Sequence, residues 1–239
     1  MKGIRYIFWL AIILTFSCKD NALINQKVIV NHAGALKTIM SGNLNAVASL
    51  DTLLKDKDLY ALGAVENLKG EIQIFEGRPS ISVVKDRIVA IQGDGTKKAS
   101  LLVWSRVKNW KTIHIPETIK TKDGLESYIA LMADENKIND QPFPFLIEGK
   151  VGELYWHVIN WDIRDKVHTH EKHKNSGLNG VISNETVEVL GFYSEKHKAI
   201  FTHHSTNMHM HFRNPTNTLA GHVDDIHLGS GMILKIPMQ

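Results

Sequence analysis

The sequence contains a single cysteine, and it lacks any apolar run long enough to cross a membrane as a helix. One cysteine excludes intramolecular disulfides and a metal site built from cysteine ligands. The sequence also has no stretch in which lysines and arginines alternate with aromatic residues, which argues against nucleic-acid binding. What remains is an ordinary composition, 43% hydrophobic and 22% charged over 239 residues. Those values predict a globular protein with one large domain or two small ones.

The lone cysteine, Cys18, follows a segment that is typical of a bacterial lipoprotein signal. Lys2 and Arg5 form a basic start, and an apolar run over residues 6–16 precedes the cysteine. A weakly cleaved secretory signal or a membrane anchor is the alternative interpretation. The lipoprotein is favoured because acylation of Cys18 would leave no thiol to mispair in an oxidising compartment.

This interpretation predicts a signal peptide over residues 1–18, a lipid on Cys18 and a polar tether over residues 19–26. It also predicts a location in the bacterial cell envelope, periplasmic or on the outer surface. Loss of Lys2 and Arg5 would leave 26 basic and 25 acidic residues, so the mature chain would carry a charge near +1.

Three histidines near the C-terminus, His209, His211 and His222, have a spacing that predicts a metal site. Two strand-like segments, 207–213 and 219–226, flank a turn-forming run and are expected to pair as a hairpin. Alternate residues on a strand share a face, and a turn centred on the run places His222 opposite His211 and diagonal to His209. Opposite and diagonal Cβ atoms lie ~5 Å and roughly 7–8 Å apart.

Such a convergence of three imidazoles suits a zinc-type ion with coordination positions left open. Chance spacing among 13 histidines is the alternative explanation.

The remaining pattern predicts an α+β fold, in which a mixed sheet domain with helices precedes an all-β, barrel-like domain. The boundary is expected at residues 141–144, where two prolines occur, which gives domains over 27–140 and 141–239. Helices are predicted at 34–40, 44–54 and 124–133. Strands are predicted at 27–31, 59–65, 71–76, 80–84, 87–91, 101–104, 145–147, 154–163, 187–193, 200–203 and 232–236.

The residues around the three histidines carry a family resemblance. Residues 208–212 and 220–224 resemble the His-x-His-Phe … Gly-Gly-His-Val signature of bacterial acetolactate decarboxylases. Upstream, residues 62–72 are similar to that family's Leu-Gly-Thr-Phe-x-x-Leu-x-Gly-Glu segment, and weaker similarity runs over about residues 30–232.

The resemblance implies a fold and an activity. The fold would combine a mixed α/β sheet domain with a barrel-like domain, commonly as a homodimer. A zinc or other divalent metal ion would be held by His209, His211 and His222, and Glu71 would act there as acid/base or as a further ligand. The substrate would be 2-hydroxy-2-methyl-3-oxobutanoate, a small 2-hydroxy-3-oxo acid that loses CO2 to give acetoin.

The sequence differs from the family pattern at two positions. Counting from Gly149, His157 falls where family members have an arginine, and the nearest arginine is Arg164. We expect His157 in the catalytic site, although it cannot provide the planar fork of a guanidinium. A glutamate that the family carries on its C-terminal tail has no counterpart up to Gln239.

These differences keep two other functions open. One is a metal-binding envelope lipoprotein that keeps the scaffold without catalysis. The other is a different carbonyl reaction at the same metal.

Further polar residues lie near the predicted site in the sequence. The run 167–173 could chelate a second metal through His168, His170 and His173, or it could be a solvated loop that covers the site. Residues 203–206 could hydrogen-bond a metal ligand or form a polar strand end. Asp224 could orient His222 or lie exposed. Trp156 and Trp161 could form a pocket wall or belong to the core.

Overall fold

The structure is a computed structural model that describes residues 28–54, 56–93 and 97–238. The predicted signal peptide, Cys18 and the tether lie outside the described residues. Within those ranges, no helix has both the length and the apolar character needed to span a membrane.

The first sheet contains seven antiparallel strands in the order β1-β7-β3-β4-β5-β6, with the short β2 paired to β7. Tight turns join β4 to β5 through Glu76-Gly77 and β5 to β6 through Asp86-Arg87. Both residues of each turn have positive φ, as two-residue hairpin turns of type I′ require. The strands are β1 Val30–Ala33, β2 Ala48–Ser49, β3 Leu59–Val65, β4 Glu71–Phe75, β5 Arg78–Lys85, β6 Ile88–Gln92 and β7 Lys98–Arg106.

The second sheet is organised around one long strand, β9. Its first half pairs with β11 and β14, and its second half pairs with β10 and β13. Because β12 joins β11 to β13, strands β11, β12, β13 and β9 close into a small barrel. The strands are β8 Trp110–His114, β9 Phe143–Val158, β10 Leu178–Ser183, β11 Thr186–Tyr193, β12 Met208–Arg213, β13 Ala220–Leu228 and β14 Ile233–Pro237.

The α-helices in the described ranges are α1 Leu36–Met40, α2 Lys122–Glu135 and α3 His170–Asn175. The longest, α2, begins where the Thr121 hydroxyl accepts a hydrogen bond from the Gly124 amide. Leu125, Ile129 and Ala133 recur at helical spacing, and their side chains are buried in the core of the second sheet. The predicted α+β class with a barrel-like part is confirmed.

Two predicted elements are wrong. Residues 44–54 form strand β2 and one 3-10 turn instead of a helix, because their apolar side chains serve different cores: Leu44 packs in one cluster and Leu50 in another. Residues 200–203 form a turn instead of a strand, with only an isolated bridge between Lys198 and Thr202.

The change from one sheet to the other comes between β7 and β8, earlier than the predicted boundary at residues 141–144. Strand β8 pairs with β14, and α2 packs on the core of the second sheet. Pro144 is the second residue of β9, so the segments predicted at 145–147 and 154–163 belong to one strand that ends at Val158.

Barrel packing leaves no room at Gly191 of β11. A Cβ atom there would lie 2.1 Å from Cζ of Phe145, the fully buried cross-strand partner of Gly191. We expect Gly191→Ala to lower the free energy of unfolding by about 1–3 kcal/mol, because overpacking forces the ring to move. Gly93→Ala is the control, since its nearest contact would be 4.0 Å away. Denaturant unfolding of both variants measures the difference, and equal stabilities would contradict this packing argument.

Candidate active site

Three imidazoles meet between the barrel and the first sheet. His209 and His211 project from the same face of β12, and His222 on β13 is paired directly with His211. The His211 Nε2 atom lies 3.2 Å from His209 Nε2 and 3.4 Å from His222 Nδ1. One ring nitrogen from each residue lies within 4.8 Å of the other two. The predicted register and the predicted convergence are both confirmed.

The hairpin turn fixes this register. The Asn214 side-chain oxygen accepts hydrogen bonds from the amides of Thr218, at 2.8 Å, and Leu219, at 3.0 Å. Along β12, Met208, Met210 and Phe212 alternate with His209 and His211, and their side chains are buried in the core of the second sheet. A one-residue slip would exchange these two sets, so the apolar packing holds the histidines on the site face.

The three histidines are electrically neutral near neutral pH. Burial lowers the pKa of His209 to about 4, and it lowers the pKa values of His211 and His222 well below the ordinary range. Neutral imidazole is the form that binds a metal ion, because one ring nitrogen keeps its lone pair.

Gln73 of β4 selects which nitrogen of His211 is free. Its amide nitrogen donates to the Ser80 carbonyl oxygen and, at 3.3 Å, to Ser82 Oγ, so its oxygen faces His211. His211 Nδ1 therefore donates to Gln73 Oε1 over 3.1 Å and leaves the Nε2 lone pair directed at the other two rings. This donor set fits a divalent cation of the zinc type.

Glu71 reaches the same centre from the first sheet, although it is far from the histidines in sequence. Its Oε2 atom lies 3.8 Å from His211 Nε2, and its Oε1 atom accepts a hydrogen bond of 3.2 Å from the Ile159 amide. The side chain is buried, and burial raises the pKa of Glu71 to about 7 against the lowering effects of His157 and the Ile159 amide. The predicted proximity of Glu71 to the three histidines is confirmed.

His157 of β9 occupies the space between two carboxylates. Its Nε2 atom is 3.7 Å from Glu71 Oε1, and its Nδ1 atom is 2.9 Å from Asp224 Oδ1. Because a carboxylate only accepts, Nδ1 donates to Asp224. The Asp224 side chain, which is 7% exposed, therefore orients His157, where the sequence had indicated His222 as its partner. His157, His222 and Asp224 also bring one ligand atom each within 4.8 Å of one another.

A cavity of about 280 Å³ opens onto the three-histidine centre. Its volume suits a small molecule. Residues from the hairpin, α1, the start of α2, α3 and the loop before β12 surround it. The lining residues are Leu36, Lys122, His170, His203, Ser205, Thr206, Met208, His209, Met210, His222, Val223 and Asp224. Sequence reasoning missed Leu36 and Lys122, which belong to distant segments without any motif.

The second histidine run does not form a metal site among the described residues. His168 Nδ1 lies 2.8 Å from His173 Nε2, and both rings pack on the buried Trp161 with centroid distances of 4.7 Å. His170 instead stands at the cavity, its ring 4.7 Å from that of His203. Part of this run forms α3, and His170 lies over the site, as expected if the segment covers it.

The structure also shows the positions of His203 and of the two tryptophans, Trp156 and Trp161. His203 hydrogen-bonds to Ser205 Oγ over 2.8 Å and lines the cavity wall. Trp161 belongs to a buried apolar cluster, and Trp156 packs partly buried against another, so both tryptophans are core residues.

A sequence profile of the alpha-acetolactate decarboxylase family matches residues 30–237. The chain belongs to the alpha-acetolactate decarboxylase family. Two solved structures have a similar fold. One is a Staphylococcus aureus protein of unknown function described as similar to alpha-acetolactate decarboxylase, with a TM-score of 0.69 and 17% identity, covering 88% of this chain and 85% of that chain.

The other is the alpha-acetolactate decarboxylase of Bacillus subtilis strain 168, with a TM-score of 0.67 and 15% identity, covering 87% of this chain and 86% of that chain. At these identities the two structures support the shared fold. Curated protein sequences gave no match.

The hydrogen bond between Gln73 and His211 generates a prediction about metal affinity. Gln73→Met removes the acceptor that holds the His211 proton on Nδ1, so we expect divalent-metal affinity to fall by ~10–100-fold. Competition titration with a chromogenic chelator measures the affinity, and Gln141→Met, at an exposed position, is the control. Unchanged affinity in Gln73→Met would show that this hydrogen bond does not prepare His211 as a ligand.

Proposed function

We propose that this protein is a metal-dependent decarboxylase of a small 2-hydroxy-3-oxo acid, which converts acetolactate to acetoin and CO2. The observation that carries the proposal is the position of Glu71: a buried carboxyl group within 4 Å of a ring nitrogen of His211, at the centre formed by the three histidines. Membership of the alpha-acetolactate decarboxylase family supports the same reaction class.

His209, His211 and His222 would hold the metal ion. When bound, a divalent cation supplies a Lewis acid that stabilises negative charge developing on substrate oxygens as CO2 leaves. The hairpin register and Gln73 present three neutral ring nitrogens to that ion.

We assign to Glu71 the transfer of the proton that replaces the lost carboxyl group. An acid or base is most effective when its pKa lies near the working pH. Burial raises the pKa of Glu71 to about 7 in the metal-free protein, and a bound cation would act in the opposite direction. The Ile159 amide donates to Oε1 and leaves Oε2 on the side of His211.

His157 has a positioning role in this proposal. Asp224 accepts a hydrogen bond from His157 Nδ1, and this bond directs His157 Nε2 at Glu71. His157 and Asp224 thus lie against one side of the Glu71 carboxyl group. Glu71, His157 and Asp224 form a chain of polar contacts that leads from the three histidines to Lys174, whose Nζ atom is 3.9 Å from Asp224 Oδ2.

A second candidate function is metal binding without lyase activity. It is favoured by the surroundings of His157, whose two ring nitrogens are directed at the carboxyl groups of Asp224 and Glu71. A metal-loaded protein without turnover would support this alternative.

Turnover of racemic acetolactate tests the proposal. We expect the metal-loaded protein to form acetoin, and Glu71→Gln to keep its metal while turnover falls by roughly 10²-fold or more, because the amide cannot exchange a proton. Glu135→Gln, at an exposed position of α2, is the matched control. Metal content is measured on the same samples.

Full turnover in metal-bound Glu71→Gln would remove Glu71 from proton transfer. A fully loaded wild-type protein that forms no acetoin would overturn the decarboxylase proposal and leave the binding alternative.

We also propose a lipid anchor at Cys18, which would place the site in the cell envelope; the basic start, the short apolar run and the lone cysteine support it. In a bacterial host, the wild-type protein should fractionate with membranes, and Cys18→Ala should lose both acylation and normal processing. Radiolabelled fatty-acid incorporation and fractionation measure this. Normal processing and membrane association of Cys18→Ala would contradict the anchor. A homodimer, implied by the family resemblance, stays a prediction.

A further inference from the structure

Lys122 brings a positive charge to the wall of the cavity. It is the first residue of α2, and it lines the cavity together with His209 and His222. Its Nζ atom donates a hydrogen bond of 2.8 Å to the main-chain oxygen of Asp224. An ammonium group has three donors, so this bond fixes its position and leaves donors for a ligand in the cavity.

The other titratable groups on this wall do not compete with Lys122 for an anion. Burial lowers the pKa of His203 to about 4, so this ring is neutral near neutral pH, and His209 and His222 are already assigned to the metal ion. Burial likewise lowers the pKa of His170. No arginine and no second lysine line the cavity in the described part of the chain.

The side chain of Asp224, the residue whose main-chain oxygen holds Lys122, is already engaged. Asp224 contacts Lys122 through its main-chain oxygen, whereas its side chain accepts from His157 at 2.9 Å and lies 3.9 Å from Lys174. The charge of Lys122 is therefore not neutralised by a direct ion pair with Asp224.

Lys122 is also held rigidly relative to the facing loop. Thr121 caps the helix, and Leu125 is fully buried. One turn further, the Glu126 carboxylate accepts hydrogen bonds from the Thr206 hydroxyl and, at 3.0 Å, from the Asn207 amide. The start of α2 and the loop before β12 therefore form one connected wall of the cavity.

We propose that Lys122 binds the carboxylate of the substrate and thereby selects small anionic acids over neutral molecules of the same size. The inference rests on the proposed function for the identity of the acid. The carboxylate charge is lost from that group as CO2 leaves, so its contact with Lys122 stabilises the bound substrate at least as much as the transition state. Loss of Lys122 should therefore raise KM and leave kcat nearly unchanged.

Direct binding tests the site without turnover. The probe is 2-hydroxy-2-methylpropanoate, which lacks the 3-oxo group and cannot react, and its neutral amide is the matched ligand. Calorimetry is performed on the full chain, with metal and after metal removal. Lys122→Gln keeps a donor for the Asp224 oxygen and removes the charge, so we expect ~10-fold or greater loss of affinity for the anion. Affinity for the amide should not change.

Lys120→Met is the control, because Lys120 is exposed and pairs with Glu117, at 3.2 Å, away from the cavity. If Lys122→Gln binds the anion as tightly as the wild-type protein, the inference is overturned, whether or not acetoin forms. If Lys122→Gln loses affinity for the anion but not for the amide, and the wild-type protein forms no acetoin, the carboxylate site stands and the decarboxylase proposal fails.

A second measurement avoids dependence on the stability of the variant. Reductive methylation with 13C-formaldehyde keeps the lysine charge and labels each amine, and Lys122→Arg identifies the Lys122 resonance in the NMR spectrum. That resonance should shift when the anion is added to the wild-type protein and should not shift with the amide. A Lys122 resonance whose chemical shift does not change when the anion is added would overturn the proposal.

Discussion

The hydrogen bond between Gln73 and His211 is the contact on which the candidate site depends, because it joins the two sheets at the histidine centre. On β4, Glu71 and Gln73 share one face, which meets the barrel, while Ile72 and Ile74 on the other face are fully buried in a separate apolar cluster. That apolar packing fixes which way the two polar residues point. The first sheet thus supplies both the residue that orients a ligand nitrogen and the carboxyl group that stands beside it.

Burial gives these polar groups their chemistry, and it also carries a cost. An imidazole or a carboxyl group removed from water loses hydration of its charged form, which is why the histidines are held neutral and the pKa of Glu71 rises toward 7. The lone pair on His211 Nε2 lies 3.2 Å from His209 Nε2, so it needs a proton or a cation between the two rings. A divalent ion would coordinate one nitrogen of each ring at once, so the burial that keeps the imidazoles neutral favours metal binding.

Local rules predicted the part of the site that local geometry controls. The turn at Asn214 and the alternation along β12 determine that His211 faces His222, and both features are contained in one stretch of sequence. Glu71 was found only through the family resemblance, since nothing in its local pattern points to the histidines. The helix predicted over 44–54 failed because a helical spacing of apolar residues carries no information on which core receives each side chain. Lys122 and the Asp224–His157 pair were missed because they arise from contacts between distant segments.

The arrangement of charge around the cavity separates two tasks. Glu71 and His157 are buried and do not line the cavity, whereas Lys122 lines its wall and contacts Asp224 only through the main-chain oxygen. A metal ion held by the three histidines would lie beside Glu71 and would lower the pKa of that carboxyl group, in opposition to the burial that raises it. The positive charge that is proposed to attract the anionic substrate is carried by Lys122 on the cavity wall, and Glu71 does not line that cavity. His157 faces Glu71 through its Nε2 atom, at 3.7 Å, while Asp224 fixes the imidazole through Nδ1, so the orientation of the Glu71 carboxyl group depends on a contact between β9 and β13.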